Sequence, residues 1–161
     1  MKDTNHLPMM GVGPIYGIII IAVTVAGILL SVFKVFYIGN AEALKIPFVI
    51  IGILLAIAGI IFWLCAIFHS KIDAGILNNK LVTNGVYAYV RNPIYSAFLM
   101  FCTGAILIAN DLWLCVLPVC YWLFLTILMK NTEEKWLENL YGAEYKEYCR
   151  HTNRCIPWKR K

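Results

Sequence analysis

Residues 94–129 read IYSAFLMFCTGAILIANDLWLCVLPVCYWLFLTILM, and the fold follows from how these two apolar runs are joined. Asn110-Asp111 is the whole connection between a run from about Ile94 to Ala109 and another from about Leu112 to Met129. A link that short forces the runs to lie side by side and antiparallel. Neither run alternates polar with apolar residues, as a barrel strand would. In lipid the remaining structure that satisfies its own backbone is the helix. The stretch therefore predicts a helical hairpin in a membrane. Both arms are shorter than an ideal span, so their ends are expected to sit below the lipid surface and leave a recess.

Upstream lie two more apolar runs, about Ile15 to Phe36 and Ile46 to Phe68. The first would be roughly 33 Å long as a helix, enough to cross a hydrocarbon core. It is too long, and too far from any small-residue cleavage site, to read as a removable signal peptide. Lys34 stands one turn from its end and can snorkel, and Pro47 falls in the first turn of the second run, where a missing N–H costs little. Ala22/Ala26 and Gly52/Ala56 put small residues four apart, which permits close helix approach. Met1 to Gly13 is polar and glycine-rich and is expected to fray. With 61% hydrophobic and 14% charged residues, the chain lies far from soluble composition. The expected fold is all-α and integral to the membrane. One domain, 1–161, would hold four transmembrane helices and a C-terminal amphipathic helix.

Charge sets the expected orientation. Four spans place the N-terminus, the 69–92 link and the C-terminus on one face, which carries Lys2, Lys71, Lys80, Arg91 and every Lys or Arg from Lys130 onward. The other face has Lys34 and Lys45. The positive-inside rule puts the basic face, and both termini, in the cytoplasm. The membrane would be the plasma membrane of a bacterium or the endoplasmic reticulum of a eukaryote. The net charge of +5 is then a topology signal and an attraction to anionic lipid, with no nucleic-acid partner implied. The six cysteines, at 65, 102, 115, 120, 149 and 155, form no Cys-x-x-Cys pair and read as small buried hydrophobes. His6, His69 and His151 are too dispersed for a metal site, and no phosphate-binding glycine loop or nucleophile elbow occurs.

The chemistry concentrates just before the hairpin, in Leu81 to Tyr95. Asn84-Gly85 marks a tight turn at the membrane surface. Asn92-Pro93 starts a helix, with Asn as cap and Pro as first residue. Tyr87, Tyr89 and Tyr95 suit an interfacial aromatic belt, and Arg91 suits a lipid phosphate. Together they also offer an anion-binding helix start ringed by aromatic faces, which would accept an adenosine cofactor with a carboxylate tail and a cationic centre. Beyond the hairpin, Leu137, Tyr141, Tyr145 and Tyr148 recur at helical spacing, and Gly142 is expected to break that helix. Glu133-Glu134 is first-turn acid behind a Thr132 cap, or a carboxylate pair able to hold an ammonium or sulfonium group. Glu144 and Arg150 read as surface charges of the amphipathic helix.

Gly85-Val86-Tyr87-Ala88-Tyr89-Val90-Arg91-Asn92-Pro93-Ile94-Tyr95 resembles the signature of the isoprenylcysteine carboxyl methyltransferase family, Gly-x-Tyr-x-x-x-Arg-His-Pro-x-Tyr. Glu133-Glu134-Lys135-Trp136-Leu137 and Tyr141-Gly142-Ala143-Glu144-Tyr145-Lys146-Glu147-Tyr148 resemble its second motif, and the likeness covers residues 79–157. The phospholipid N-methyltransferases share much of this pattern. The resemblance implies a membrane methyltransferase that uses S-adenosylmethionine at the cytoplasmic face and admits a lipophilic substrate from the bilayer. It implies cofactor contacts at Asn79, Lys80, Leu81, Val82, Tyr87, Asn92, Pro93, Ile94, Tyr95 and Glu133. It places Glu144 and Arg150 near the reaction centre. Asn92 replaces the family's usual His, and Met129 stands where the eukaryotic carboxyl methyltransferases carry a substrate-binding Arg. The implied reaction is O-methylation of a carboxylate. N-methylation of a phospholipid or amine, a nicotinamide-dependent membrane reductase and a non-enzymatic scaffold are the alternatives.

Overall fold

A computed structural model describes residues 11–35, 39, 42–69 and 80–157. Among them the chain is helical, with one isolated bridge, Val90 to Asn153, in place of any sheet. Helix α1 spans Gly13–Val32 and α2 spans Lys45–Leu64, continued by a π-helical turn over Cys65–His69. Helix α3 is Pro93–Ala109 and α4 is Leu117–Asn131, entered through a 3₁₀ turn at Leu112–Val116. Two short helices follow, α5 at Glu133–Tyr141 and α6 at Ala143–His151. Gly142 separates them at φ +52°, a left-handed conformation that L side chains adopt at a cost, so the expected break falls there.

Three helical stretches are long and apolar enough to cross a membrane: Gly13–Val32, Glu42–Phe68 and Leu112–Tyr141. Helix α3 is apolar too but has 17 residues, about 26 Å at 1.5 Å per residue. The hairpin between α3 and α4 turns as its two-residue link requires, with Asn110 left-handed at φ +54°. Asp111 accepts the Trp113 N–H and the Ser31 hydroxyl, so the end of α1 meets the end of α3. The start of α1 meets the starts of α3 and α5, through Val12, Tyr95 and Glu133. Helix α1 thus runs parallel to α3 and antiparallel to α4.

Helix α2 runs antiparallel to α3 at backbone contact. A Cβ on Gly52 would lie 2.7 Å from the Gly104 carbonyl, and one on Gly59 would lie 2.8 Å from that of Ala97. Gly52/Ala56 therefore does what its spacing suggests. Ala22 and Ala26 do not, since both are exposed; Gly17 and Gly27 take the close approaches of α1, to Phe98 and Leu114. The core lies between α1, α3 and α4, where Tyr16, Ile20, Ile106, Leu114, Leu125 and Met129 are fully buried. The outer faces of α1 and α2 expose isoleucine, valine and leucine, as lipid requires.

Candidate functional site

At the end of the bundle where α1 and α3 begin and α4 finishes, the described residues form a cluster of polar side chains. Gly85, at φ +57°, opens a 3₁₀ turn over Gly85–Ala88, which takes the place of a hairpin and presents Tyr87 inward. Tyr87 is buried, and its carbonyl accepts the Tyr148 hydroxyl at 2.6 Å. Burial pushes the Tyr148 hydroxyl above its ordinary value near 10, so it stays a donor at any physiological pH.

Asn92-Pro93 begins α3 as its sequence indicates, but the Asn92 side chain does not cap the helix. Its Nδ2 donates instead to the Arg154 carbonyl at 3.0 Å. The tail runs alongside this helix start. Arg91 N–H donates to Asn153 O at 2.8 Å, Asn92 N–H to Arg154 O at 3.2 Å, and the Ser96 hydroxyl to Cys155 O. With Pro93 lacking a donor, the first-turn amides of Ile94 and Tyr95 have no intrahelical acceptor, which leaves the anion-binding property of a helix start in place. Thr132 likewise sits at a cap position without capping, its hydroxyl donating back to Leu128 O at 2.6 Å.

The two adjacent carboxylates take separate roles. Glu134 is claimed by two guanidiniums: Arg154 binds it through Nε at 2.6 Å and Nη2 at 2.9 Å, and Arg91 Nη2 stands 3.5 Å away. The bond to Glu134 holds the Arg154 guanidinium above its ordinary pKa. Arg91, at 10% side-chain exposure, faces this carboxylate and the Cys149 thiol in place of a lipid phosphate. Glu133 points the other way. Its Oε1 accepts the Val12 N–H at 2.7 Å and the Tyr95 hydroxyl. Its Oε2 accepts no hydrogen bond from the described residues.

The fold thus brings together Tyr87, Asn92, Pro93, Tyr95 and Glu133, with Ile94 half-buried beside them. Leu81 and Val82 are half-buried, Lys80 is exposed, and Asn79 lies outside the described residues. Glu144 and Arg150 are exposed on α6; Arg150 Nη1 pairs with Glu147 at 3.0 Å and does not reach the Tyr95–Glu133 pair. Sequence reasoning missed Gly11, Val12, Ser96, Asn153 and Arg154. Gly11–Val12 fell in the segment expected to fray, yet it rests on Glu133. Arg154 directly before Cys155-Ile156-Pro157 was a readable signal, a charged residue at the edge of a short apolar stretch.

The residues fit S-adenosylmethionine as a group. A carboxylate oxygen with no donor among the described residues suits a hydroxyl or ammonium donor, the helix start suits a carboxylate, and the tyrosine rings suit a purine or sulfonium. Among the described residues no group of three or more His, Cys, Asp or Glu could hold a metal ion.

The sequence profile of the phospholipid methyltransferase family matches residues 43–144, more than half of the chain. A probable protein-S-isoprenylcysteine O-methyltransferase of Oryza sativa subsp. indica is 32% identical over 81 residues, 50% of this chain and 42% of the relative. The protein-S-isoprenylcysteine O-methyltransferase of Schizosaccharomyces pombe is 33% identical over 81 residues, 50% of this chain and 34% of the relative. Methanethiol S-methyltransferase 1 of Bradyrhizobium diazoefficiens is 33% identical over 76 residues, 47% of this chain and 25% of the relative. The matched stretches span less than half the length of these relatives. No solved structure matches the chain.

Proposed function

Since the chain belongs to the phospholipid methyltransferase family, we propose that it is an S-adenosylmethionine-dependent integral membrane methyltransferase whose acceptor is a lipophilic carboxylate. The observation that carries this reading is the Tyr95–Glu133 pair. The Glu133 carboxylate, at the start of α5, takes two donors on Oε1 and none from the described residues on Oε2, and it packs against Tyr95 in the first turn of α3, where the first motif ends. The cofactor would be held by Glu133, Tyr87, Tyr95, the Asn92–Ile94 helix start and the approach from Asn79 to Val82. When bound it supplies an electrophilic methyl group on a sulfonium. The protein's part is alignment and exclusion of water, because a displacement of this kind gains most from proximity and a dry site. A carboxylate acceptor needs no base. Glu144 and Arg150 enter on motif position, Arg150 to orient an anionic acceptor arriving past α6.

Four crossings, with α3 as the short one, bring both termini to the cytoplasmic side and the acceptor in from the bilayer. The parallel course of α1 and α3, opposite to α2 and α4, supports that count. A second reading, methyl transfer to a thiol, draws on the Bradyrhizobium relative's name. A phospholipid amine draws on the family's description. For those acceptors Glu144 is the first group to consider as a base.

The test is transfer of radiolabelled methyl from S-adenosylmethionine by the detergent-purified chain, offered an S-prenylcysteine, phosphatidylethanolamine or an alkyl thiol. Label in the base-labile ester of the first supports the reading. Label only in the second or third moves the assignment to N- or S-methylation. Binding of NADPH without binding of S-adenosylhomocysteine would refute the methyltransferase.

A further inference from the structure

The residues just ahead of α1 are built into the candidate site. Gly11 adopts φ +52°, and a Cβ placed on it would overlap Glu133 Oε1. Val12 N–H donates to that same oxygen at 2.7 Å. A Cβ on Gly13 would meet the Tyr95 hydroxyl at 3.3 Å and its Cε1 at 3.4 Å. Both Gly11 and Gly13 therefore lie where a side chain would be pressed against the Tyr95–Glu133 pair, and the amide between them binds the carboxylate. The positive φ of Gly11 already favours glycine there, and its close approach to Oε1 adds a second reason.

We propose that Gly11-Val12-Gly13 is a positioning strap for ligand binding at Glu133. The Val12 N–H and the Tyr95 hydroxyl both hold Oε1, which restricts the carboxylate's rotation and leaves Oε2, which takes no donor from the described residues, for a donor on the ligand. A glutamate carboxylate otherwise has rotamer freedom to lose on binding; the strap removes that freedom beforehand. The two donors come from residues 12 and 95, on α1's leading edge and α3's first turn. Ligand affinity therefore depends on how α1 docks against α3. This inference rests on the reading of Glu133 as a ligand-binding residue.

The experiment measures S-adenosylhomocysteine affinity by calorimetry on the full chain in detergent. It compares the parent with Gly11→Ala, Glu133→Ala, the Gly11→Ala/Glu133→Ala double variant, and a chain carrying the α-hydroxy analogue of valine at position 12. That analogue turns the Val12 amide into an ester, deleting the donor while keeping the side chain. Gly11→Ala and the ester should each weaken binding roughly tenfold, the size expected when a hydrogen bond to a charged group is lost. In the Glu133→Ala background, Gly11→Ala should add less than about twofold, because coupled residues are not additive. Parental affinity in the ester chain, with Glu133→Ala weakened, overturns the strap and leaves the site. Equal losses from Gly11→Ala in both backgrounds also overturn it, since the strap would then act elsewhere than on Glu133. Parental affinity in Glu133→Ala removes the site and the strap together. Should Gly11→Ala fail to fold, the ester chain decides alone.

Discussion

Arg154→Ala should loosen the end of the bundle where α1 and α3 begin, and its cost follows from two arginine–glutamate pairs on the same C-terminal stretch. Arg154 makes two parallel contacts to Glu134, at 2.6 and 2.9 Å, with side-chain exposures of 23% and 14%. Arg150 makes one to Glu147 at 3.0 Å, with exposures of 76% and 57%. A charge-assisted hydrogen bond typically contributes about 1.5–3 kcal/mol, and stripping a buried ion of its partner costs about 3–5 kcal/mol. Glu134 would keep Arg91 at 3.5 Å, so it is weakened in its pairing and not abandoned. That places Arg154→Ala at about 2–3 kcal/mol. The exposed pair is worth little. Arg154→Lys should recover only part of the loss, since an ammonium cannot reproduce the two-pronged contact. Reversible unfolding in mixed micelles, followed by tryptophan fluorescence, gives the comparison. Equal midpoints for Arg154→Ala and Arg150→Ala would refute the claim that the tail is clamped through Glu134.

Tyr95→Phe removes one of the two donors to Glu133 and should weaken S-adenosylhomocysteine binding several-fold, with Glu133→Ala weakening it further; calorimetry on the folded variants reads both. Arg150→Ala should slow single-turnover methyl transfer roughly ten- to a hundred-fold at saturating cofactor, if it orients the acceptor in the transition state. An unchanged rate constant would return it to its surface pair with Glu147. Burial pushes the Cys155 thiol from its ordinary value near 9 up to about 12. The neutral thiol is thus favoured in the folded chain, and its contribution to stability is complete below pH 9 and lost as the pH rises toward 12. Alkylation of Cys155 at pH 8 should accordingly be slow in the parent; in Arg154→Ala it should be faster where exposure gained from the lost Glu134 clamp outweighs loss of the guanidinium, whose charge favours the thiolate, with the modified residue identified by peptide mapping.

The fold was legible where a local rule had no competitor. Asn110-Asp111 could join its two runs only as a hairpin, and the left-handed Asn110 is how the backbone executes that turn. Gly142 ended a helix because a positive φ was needed there. Small-residue spacing was ambiguous by nature. It marked both Ala22/Ala26 and Gly52/Ala56, but spacing cannot say which side of a helix meets protein and which meets lipid when both sides are apolar. Gly104 completed the real contact from a helix far along the chain.

The site divides along the same line. Tyr87, Asn92, Tyr95 and Glu133 were legible as motif positions, and the fold brings them to one end. What the motifs could not reveal was how adjacent carboxylates separate. Glu133 and Glu134 are equivalent as letters, yet successive residues on a helix point about 100° apart, so the first reaches Tyr95 and Val12 while the second reaches Arg91 and Arg154. The partners that distinguish them lie 121 positions upstream for Glu133 and 20 downstream for Glu134. No local pattern encodes such pairings. Their consequence is a division of labour: Glu134, paired with two guanidiniums, ties the tail to the start of α3, while Glu133 binds the residues that lead into α1 and keeps Oε2 without a donor among the described residues.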